Sequence, residues 1–272
     1  MKKAFEKTVR QLRECFLSAN KSATEREIAA LEGDPRTAVR HLASLLRNRE
    51  QNTQKENERL DHLLRYESEL WSQGIHLIAG VDEAGMAPLA GPVVAAAVIL
   101  PQRYKLVGLD DSKKILDEGK RKRLAIQIKR DALCWSVGRA EVEEIDRINI
   151  YHSGLLAMRR AVEGLANAPE FLLVDARTIP HCPCPQRGII HGDALSASIA
   201  AASILAKTTR DSHMQEMDKI YPGYGLGSHK GYPTPEHLRI LRERGALPIH
   251  RRTFAPVREV LASHPAQGEL FR

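Results

Sequence analysis

The sequence predicts an α/β fold, a mixed β-sheet flanked by helices, with a small all-helical region at the N-terminus. Three observations carry this expectation. From residue 75 onward, short apolar runs of strand length alternate with longer helical patterns. Before it, residues 1–73 place their apolar side chains only at three- to four-residue spacing. The 272 residues are 43% hydrophobic and 28% charged, enough apolar material for one large core with an appendage and too much for disorder.

The helical region, residues 1–73, opens with Phe5, Val9, Leu12 and Phe16 on one helix face. Asp34-Pro35 reads as a cap with proline at the first helical position, leading into Ala38, Leu42, Leu45 and Leu46. A polar stretch then reaches Leu60, Leu63, Leu64 and Leu70. Two roles fit this region equally: a substrate-binding module or a cap on the main domain.

Residues 74–272 are expected to form the second domain. HLIAGVD is strand-like, and PVVAAAVIL, apolar on successive residues, reads as a buried strand. Residues 117–130 form a basic helix, LCWSVG a strand, residues 151–165 a helix, and FLLVD a short strand ending in a carboxylate. Residues 193–217 form a long helix beginning DALSASIAAASILAK, whose small residues predict close packing on the sheet. SHKGYPTPEHLRILRERG supplies a loop and a final helix.

Composition narrows the function. Lys and Arg number 41 against 34 acids, a formal charge of +7, which favours a polyanionic partner. Aromatics at 5% argue against a surface of stacking rings. The first residues lack the apolar run of a signal peptide and no stretch has the length of a membrane span, so a cytoplasmic protein with no membrane partner is expected. Of Cys15, Cys134, Cys182 and Cys184 only the last two are close, with no second pair to complete a structural zinc site. No Walker loop, GxGxxG or HExxH is present, against NTP-driven motors, Rossmann redox enzymes and zinc hydrolases.

The chemistry is expected to lie with acids at the ends of three apolar elements. Asp82 and Glu83 follow the first strand, Asp175 closes FLLVD, and Asp193 opens the long helix. Neighbouring residues on a strand face opposite ways, so Asp82 and Glu83 serve one site only if the chain twists there. Clustered carboxylates repel, and a divalent cation of the magnesium type relieves the repulsion. Two such ions can activate water at phosphorus. The plainer alternative is that each aspartate only caps the turn or helix after it. Residues 103–130 hold 10 Lys/Arg against 4 Asp/Glu, with Lys113 and Lys114 in a loop that is a candidate phosphate contact. Ser228, His229, Lys230 and Tyr232 crowd a second loop, where Tyr232 either stacks on a sugar or base or packs internally; His250-Arg251-Arg252 is equally open.

At these residues the chain resembles the ribonuclease HII family. Positions 81–98 read VDEAGMAPLAGPVVAAAV, close to the family's opening motif. DSKK at 111–114, IDRINI at 145–150, LLVDA at 172–176, GDALSASIAAASILAKTTRD at 192–211 and SHKGYPTPEH at 228–237 follow in the family's order. The resemblance spans roughly residues 75–258. It implies a ribonuclease H-like fold and endonucleolytic cleavage of RNA paired with or joined to DNA. Asp82, Glu83, Asp175 and Asp193 match the catalytic carboxylates, which implies two magnesium or manganese ions and products with a 3′-hydroxyl and a 5′-phosphate. Cleavage on the 5′ side of a ribonucleotide in duplex DNA, starting its excision, is also implied. Tyr232 matches the tyrosine beside the junction sugar. Lys113, Lys114, Ser203, Lys207, His229 and Lys230 match phosphate or structural contacts, and Asp211 a supporting acid.

Two departures stand out. The family's Gly-Arg-Gly triplet is Gly85-Met86-Ala87 here, which removes a planar donor and adds a methyl. His191 replaces the usual lysine before Gly-Asp. Retained metal chemistry with altered junction recognition is therefore expected, in a monomer acting on RNA–DNA hybrids and ribonucleotide-containing duplexes. The alternatives are a related nuclease preferring long hybrids, or a weakly active nucleic-acid binding module.

Overall fold

The structure, a computed structural model, describes residues 7–18 and 23–263. Phe5 lies outside the described residues. The chain divides into two compact units, residues 1–61 and 62–272.

In the first unit, α1 (Val9–Arg13) runs into a π-helical turn, followed by α2 (Glu25–Glu32) and the long α3 (Thr37–Leu63). Thr8 and Thr24 start α1 and α2 with reciprocal capping boxes to Gln11 and Glu27. Leu12, Ile28, Leu31, Val39, Leu42, Ala43 and Leu46 form its core. Leu45 is exposed instead, on the solvent side of α3. Asp34 does not cap a proline-led helix: its carboxylate accepts from the Arg36 N–H and guanidinium, and α3 begins at Thr37.

The second unit contains α4 (Arg65–Ser72) and a five-stranded sheet of β1 (Ile78–Ala84), β2 (Val93–Ile99), β3 (Cys134–Ala140), β4 (Phe171–Asp175) and β5 (Gln186–Ile189). The order is β3-β2-β1-β4-β5; β1–β2–β3 are antiparallel, while β4 joins β1, and β5 joins β4, in parallel. The helices are α5 (Glu118–Asp131), α6 (Val142–Glu163), α7 (Ala197–Ile220), α8 (Leu226–His229), α9 (Pro235–Arg244) and α10 (Ala255–Ser263). β5, half exposed and only four residues long, carries too little apolar pattern to be read from sequence. α6 starts nine residues earlier than the expected helix because it incorporates a kink at Asn149, φ 67°.

The long small-residue helix packs as expected. Every position of α7 from Ala197 to Ala206 is buried. A Cβ on Gly80 of β1 would overlap the Ser198 backbone, so helix and strand meet at backbone distance. The helix starts at Ala197, capped by Ser196, rather than at Asp193, which sits in a preceding 3₁₀ turn (Gly192–Ala194).

The division by contacts falls after Asp61, and α4, on the N-terminal side of the boundary expected between residues 73 and 74, is held to α7 by Glu67. Buried, it accepts from Ser196 Oγ at 2.6 Å, Ser198 Oγ at 2.6 Å and Ser198 N at 2.9 Å, placing a carboxylate at the N-terminus of α7. Leu70 of α4 adds to a core cluster with Ile78, Leu173, Ile189 and Ile199. Among the described residues no helix is long and apolar enough to cross a membrane. Glu67→Ala should destabilise the protein by about 2–4 kcal/mol in urea unfolding, because it strands three buried donors; a loss below about 1 kcal/mol would show that the clamp carries little of the packing.

Candidate active site

The parallel pairing of β1 with β4 decides where the acids lie. Val81 is in register with Val174, so the next residues, Asp82 and Asp175, come side by side at the same edge of the sheet. Asp82 is buried and receives hydrogen bonds from the Glu83 N–H at 2.7 Å and from the Ser203 hydroxyl on α7. Ser203 in turn meets Ser112 Oγ at 2.8 Å. Glu83, still within β1 and in register with Ala95 of β2, meets Arg177, whose Nη2 lies 3.3 Å from Oε1. Asp175 Oδ1 accepts from Gly192 N at 2.7 Å, which brings in the turn carrying Asp193. Lys113 closes the group with a 3.0 Å hydrogen bond to Asp193 Oδ2.

The electrostatics follow from this crowding. Burial pushes Asp82 well above the usual carboxylate range, reinforced by the charges of Glu83 and Asp175. Glu83 is raised by burial and by Asp175, against the opposing pull of Arg177 and Lys113. Asp175 is raised by burial and by Asp193. Lys113 loses solvation, yet its bond to Asp193 and the nearby acids raise it overall. Glu83 Oε2 is buried with no hydrogen-bond partner.

The loops around the acids are tied together from within. Arg210 and Arg251 are fully buried, and their hydrogen bonds go to backbone carbonyls. Arg210 donates to Ala90, Pro92 and Lys230 at 3.0–3.1 Å. Arg251 donates to Gly85, Met86 and Gly91. Gly85 has φ 98°, and a Cβ there would strike the Arg210 side chain, so both the backbone and the space require glycine. Met86 turns inward to pack against the core, and Ala87 is exposed.

Sequence models of two families match: Ribonuclease HII over residues 79–257, and the Ribonuclease HII N-terminal domain over residues 8–71. The chain belongs to the Ribonuclease HII family. Ribonuclease HII of Myxococcus xanthus is 63% identical, with 97% of this chain and 95% of that protein covered. That of Anaeromyxobacter sp. is 59% identical, covering 97% and 84%. The crystal structure of ribonuclease H2 from Pyrococcus horikoshii superposes with a TM-score of 0.59 at 25% identity, over 69% of this chain and 98% of that one. The resemblance read from the motifs and the ribonuclease H-like fold are both borne out. Enzymes of the family cleave RNA in RNA–DNA hybrids.

The remaining residues matched to the family fall into two groups. Tyr232 is partly exposed, with Lys207 Nζ 5.6 Å from its ring centre. Lys207 also pairs with Asp211 at 2.8 Å, and Arg121 approaches the same carboxylate at 3.7 Å, so Asp211 holds two cations. Other side chains are engaged elsewhere. Lys114 bonds Asp110, Lys230 Nζ bonds the Gly227 carbonyl, and His229 is buried against Tyr224 O at 2.8 Å. Arg210 has no signal in the sequence, since a buried arginine serving carbonyls has no spacing pattern to mark it, and Arg177 pairs with Glu83 without belonging to any motif.

His229 stacks on His237 with ring centres 4.2 Å apart, and His237 continues to His250. The Leu247 N–H donates to His250 Nδ1, so the proton of the neutral ring sits on Nε2 and donates to His237 Nε2 at 3.0 Å. His237 Nδ1–H is then left to donate to Tyr232 O at 2.8 Å. Burial pushes His250 down to about 3, helped by the neighbouring His237. An unfolded imidazole titrates near pH 6.5, so between roughly pH 6.5 and 3 the unfolded chain takes up a proton that the folded chain refuses. This contribution to stability is full above roughly pH 6.5 and is lost as pH falls through that window. Urea unfolding of His250→Gln should therefore lose stability less steeply than the parent between roughly pH 6.5 and 4; parallel slopes would remove His250 from the acid limb.

Proposed function

We propose that this chain is a divalent-metal-dependent endonuclease that cuts the RNA strand of RNA–DNA hybrids and cleaves 5′ to ribonucleotides embedded in duplex DNA. It acts as a cytoplasmic monomer in ribonucleotide removal and leaves a 3′-hydroxyl and a 5′-phosphate. The observation that carries this reading is the set of four carboxylates, Asp82, Glu83, Asp175 and Asp193, brought to one sheet edge and raised in proton affinity at three of them.

The donors fit a hard divalent cation such as Mg²⁺ or Mn²⁺. All are carboxylate oxygens, Glu83 Oε2 is buried without a partner, and the mutual repulsion calls for positive charge. Among the described residues, no group of three or more His, Cys, Asp or Glu side chains is set to hold an ion by itself. Asp82, Glu83, Asp175 and Asp193 would hold the metal, in a pair of ions on this reading. When bound, such ions activate water and stabilise the leaving oxygen on phosphorus.

The protein's own groups do the rest. Lys113 keeps Asp193 oriented and presents positive charge at the rim of the acids. Tyr232, its carbonyl fixed by His237, offers a ring face to the sugar at the cut. The Gly85 and Met86 carbonyls are bound to Arg251, so the following N–H groups, of Met86 and Ala87, point the other way and stay available to a ribose hydroxyl. Water adds its oxygen to phosphorus as the bond to the 3′ oxygen breaks, and the departing oxygen takes up a proton.

Asp82→Asn should lower cleavage of a long RNA–DNA hybrid by more than about 100-fold, the upper end for groups standing only behind a metal ligand. The test is carried out with magnesium and manganese separately, and a folded variant with near-parental turnover would remove Asp82 from the site. A panel of single-ribonucleotide duplex, long hybrid, all-DNA and all-RNA duplexes ranks the substrates. Cutting confined to the long hybrid would favour the altered-specificity alternative, and binding without cutting the non-enzymatic one.

The helical N-terminal region is proposed to add contacts to the duplex. Its deletion must stop at residue 61, because removing α4 takes Glu67 from the start of α7. Protein lacking residues 1–61 should bind a hybrid about 10-fold more weakly at fixed salt while cutting at similar kcat, the loss expected for a few phosphate contacts; unchanged affinity would leave the region without a substrate role.

A further inference from the structure

We propose that Arg177 is a substrate-binding residue, contacting a phosphate of the nucleic-acid backbone at the rim of the carboxylates and setting affinity there in place of the side chain at position 86. The inference rests on the hybrid-cleaving reading above and goes beyond it, since it assigns a residue outside every matched motif.

Arg177 is held where a phosphate must pass but is not used up. Its side chain is 18% exposed and its Nη2 lies 3.3 Å from Glu83 Oε1. Besides that ion pair, Nη1 reaches Tyr151 O at a long 3.5 Å. The guanidinium plane is supported by the Tyr151 ring, 5.2 Å from its centre. A fork of five donors engaged by one ion pair and one long bond keeps donors for an anion. Contrast Arg210 and Arg251, which spend their donors on carbonyls inside the protein.

The backbone places Arg177 there at a cost. Ala176, between Asp175 and Arg177, has φ 49°, a left-handed conformation that a residue with a Cβ adopts reluctantly. Its N–H is fixed to Ile189 O at 2.8 Å, so the turn is built into the β4–β5 edge. The turn lets Asp175 and Arg177 flank one site.

Met86 shares that space. A methyl placed on Gly154 of α6 would lie 2.7 Å from Arg177 Nη1 and 3.1 Å from Met86 Sδ, so the two side-chain ends meet over the one helix position with no side chain. Methionine brings no donor to this spot, and the guanidinium beside it does. A role confined to neutralising Glu83 would leave the remaining donors idle and would not depend on what stands at position 86.

The test measures binding without cleavage. Labelled RNA–DNA hybrid is titrated by fluorescence anisotropy in EDTA over a range of salt concentrations. Arg177→Met should raise Kd about 10-fold near physiological salt, as for one charge-assisted bidentate contact. It should also reduce the slope of log K against log salt by about 0.9, the release expected for one phosphate contact. Arg177→Lys keeps the charge and so the slope, while losing part of the affinity. The exchange Met86→Arg/Arg177→Met returns a guanidinium to the same space and should recover both slope and affinity. A folded Arg177→Met protein with the parental slope overturns the proposal, as does a folded double variant that regains neither. If Arg177→Met fails to melt like the parent, Arg177→Lys and Arg177→Gln decide, and equal slopes for those two overturn it. A parent that neither binds nor cuts the hybrid would instead defeat the functional reading itself.

Discussion

Repulsion among buried carboxylates is the constraint around which the second unit is built. Register puts Asp82 beside Asp175, and the turn after β5 adds Asp193. Removing such groups from water is unfavourable, and crowding like charges compounds the penalty. The pairing holds them there, since Ala79, Val81, Leu172 and Val174 pack into one core cluster and Ile78 and Leu173 into another. The cluster is therefore a local cost borne by the surrounding packing: the backbone-distance contact of α7 with β1 at Gly80, the fully buried β2, and the Glu67 clamp on α7. A protein does not assemble such a site for stability, and its chemistry is the reason it is tolerated.

The cations answering these acids divide into two kinds. Arg210 and Arg251 are enclosed and bind carbonyls of the segments at 85–92 and 230, so they set loop paths. Burial pulls Arg251 down to about 9, with Arg210 adding to the effect, which measures how far the pair is removed from solvent. Lys113 and Arg177 stand at the rim on Asp193 and Glu83. Of these four, the rim pair is the one with exposed side-chain surface. A formal charge of +7 counts all four alike, so it signals a polyanionic partner without indicating where it binds.

The sheet, the small-residue helix and the strand-end positions of Asp82 and Asp175 were legible because each leaves a local pattern: an apolar run, a run of Ala and Ser, a carboxylate at its end. Asp193 was legible as an acid but not as a turn residue, since Ser196 three positions later is the stronger cap. Nothing local in the sequence distinguishes Glu67 from the other charges of its helix; its burial depends on Ser196 and Ser198, about 130 residues away. The same holds for His237 and His250, whose proton order is set by the Leu247 N–H and the Tyr232 carbonyl. Long-range polar contacts of this kind leave no periodicity, so sequence reading locates the residues without their partners.

The Gly85-Met86-Ala87 segment separates shape from chemistry. Gly85 is dictated by φ 98° and by the Arg210 side chain against its Cα. Arg251 binds the Gly85 and Met86 carbonyls, which fixes the direction of the next two amides whatever side chains stand at 86 and 87. Substitution at those two positions consequently changes which donors the loop offers while its backbone path is held from beneath. Methionine at position 86 therefore offers no cation while the loop keeps its path, and it packs inward beside a guanidinium that comes from the end of a different strand.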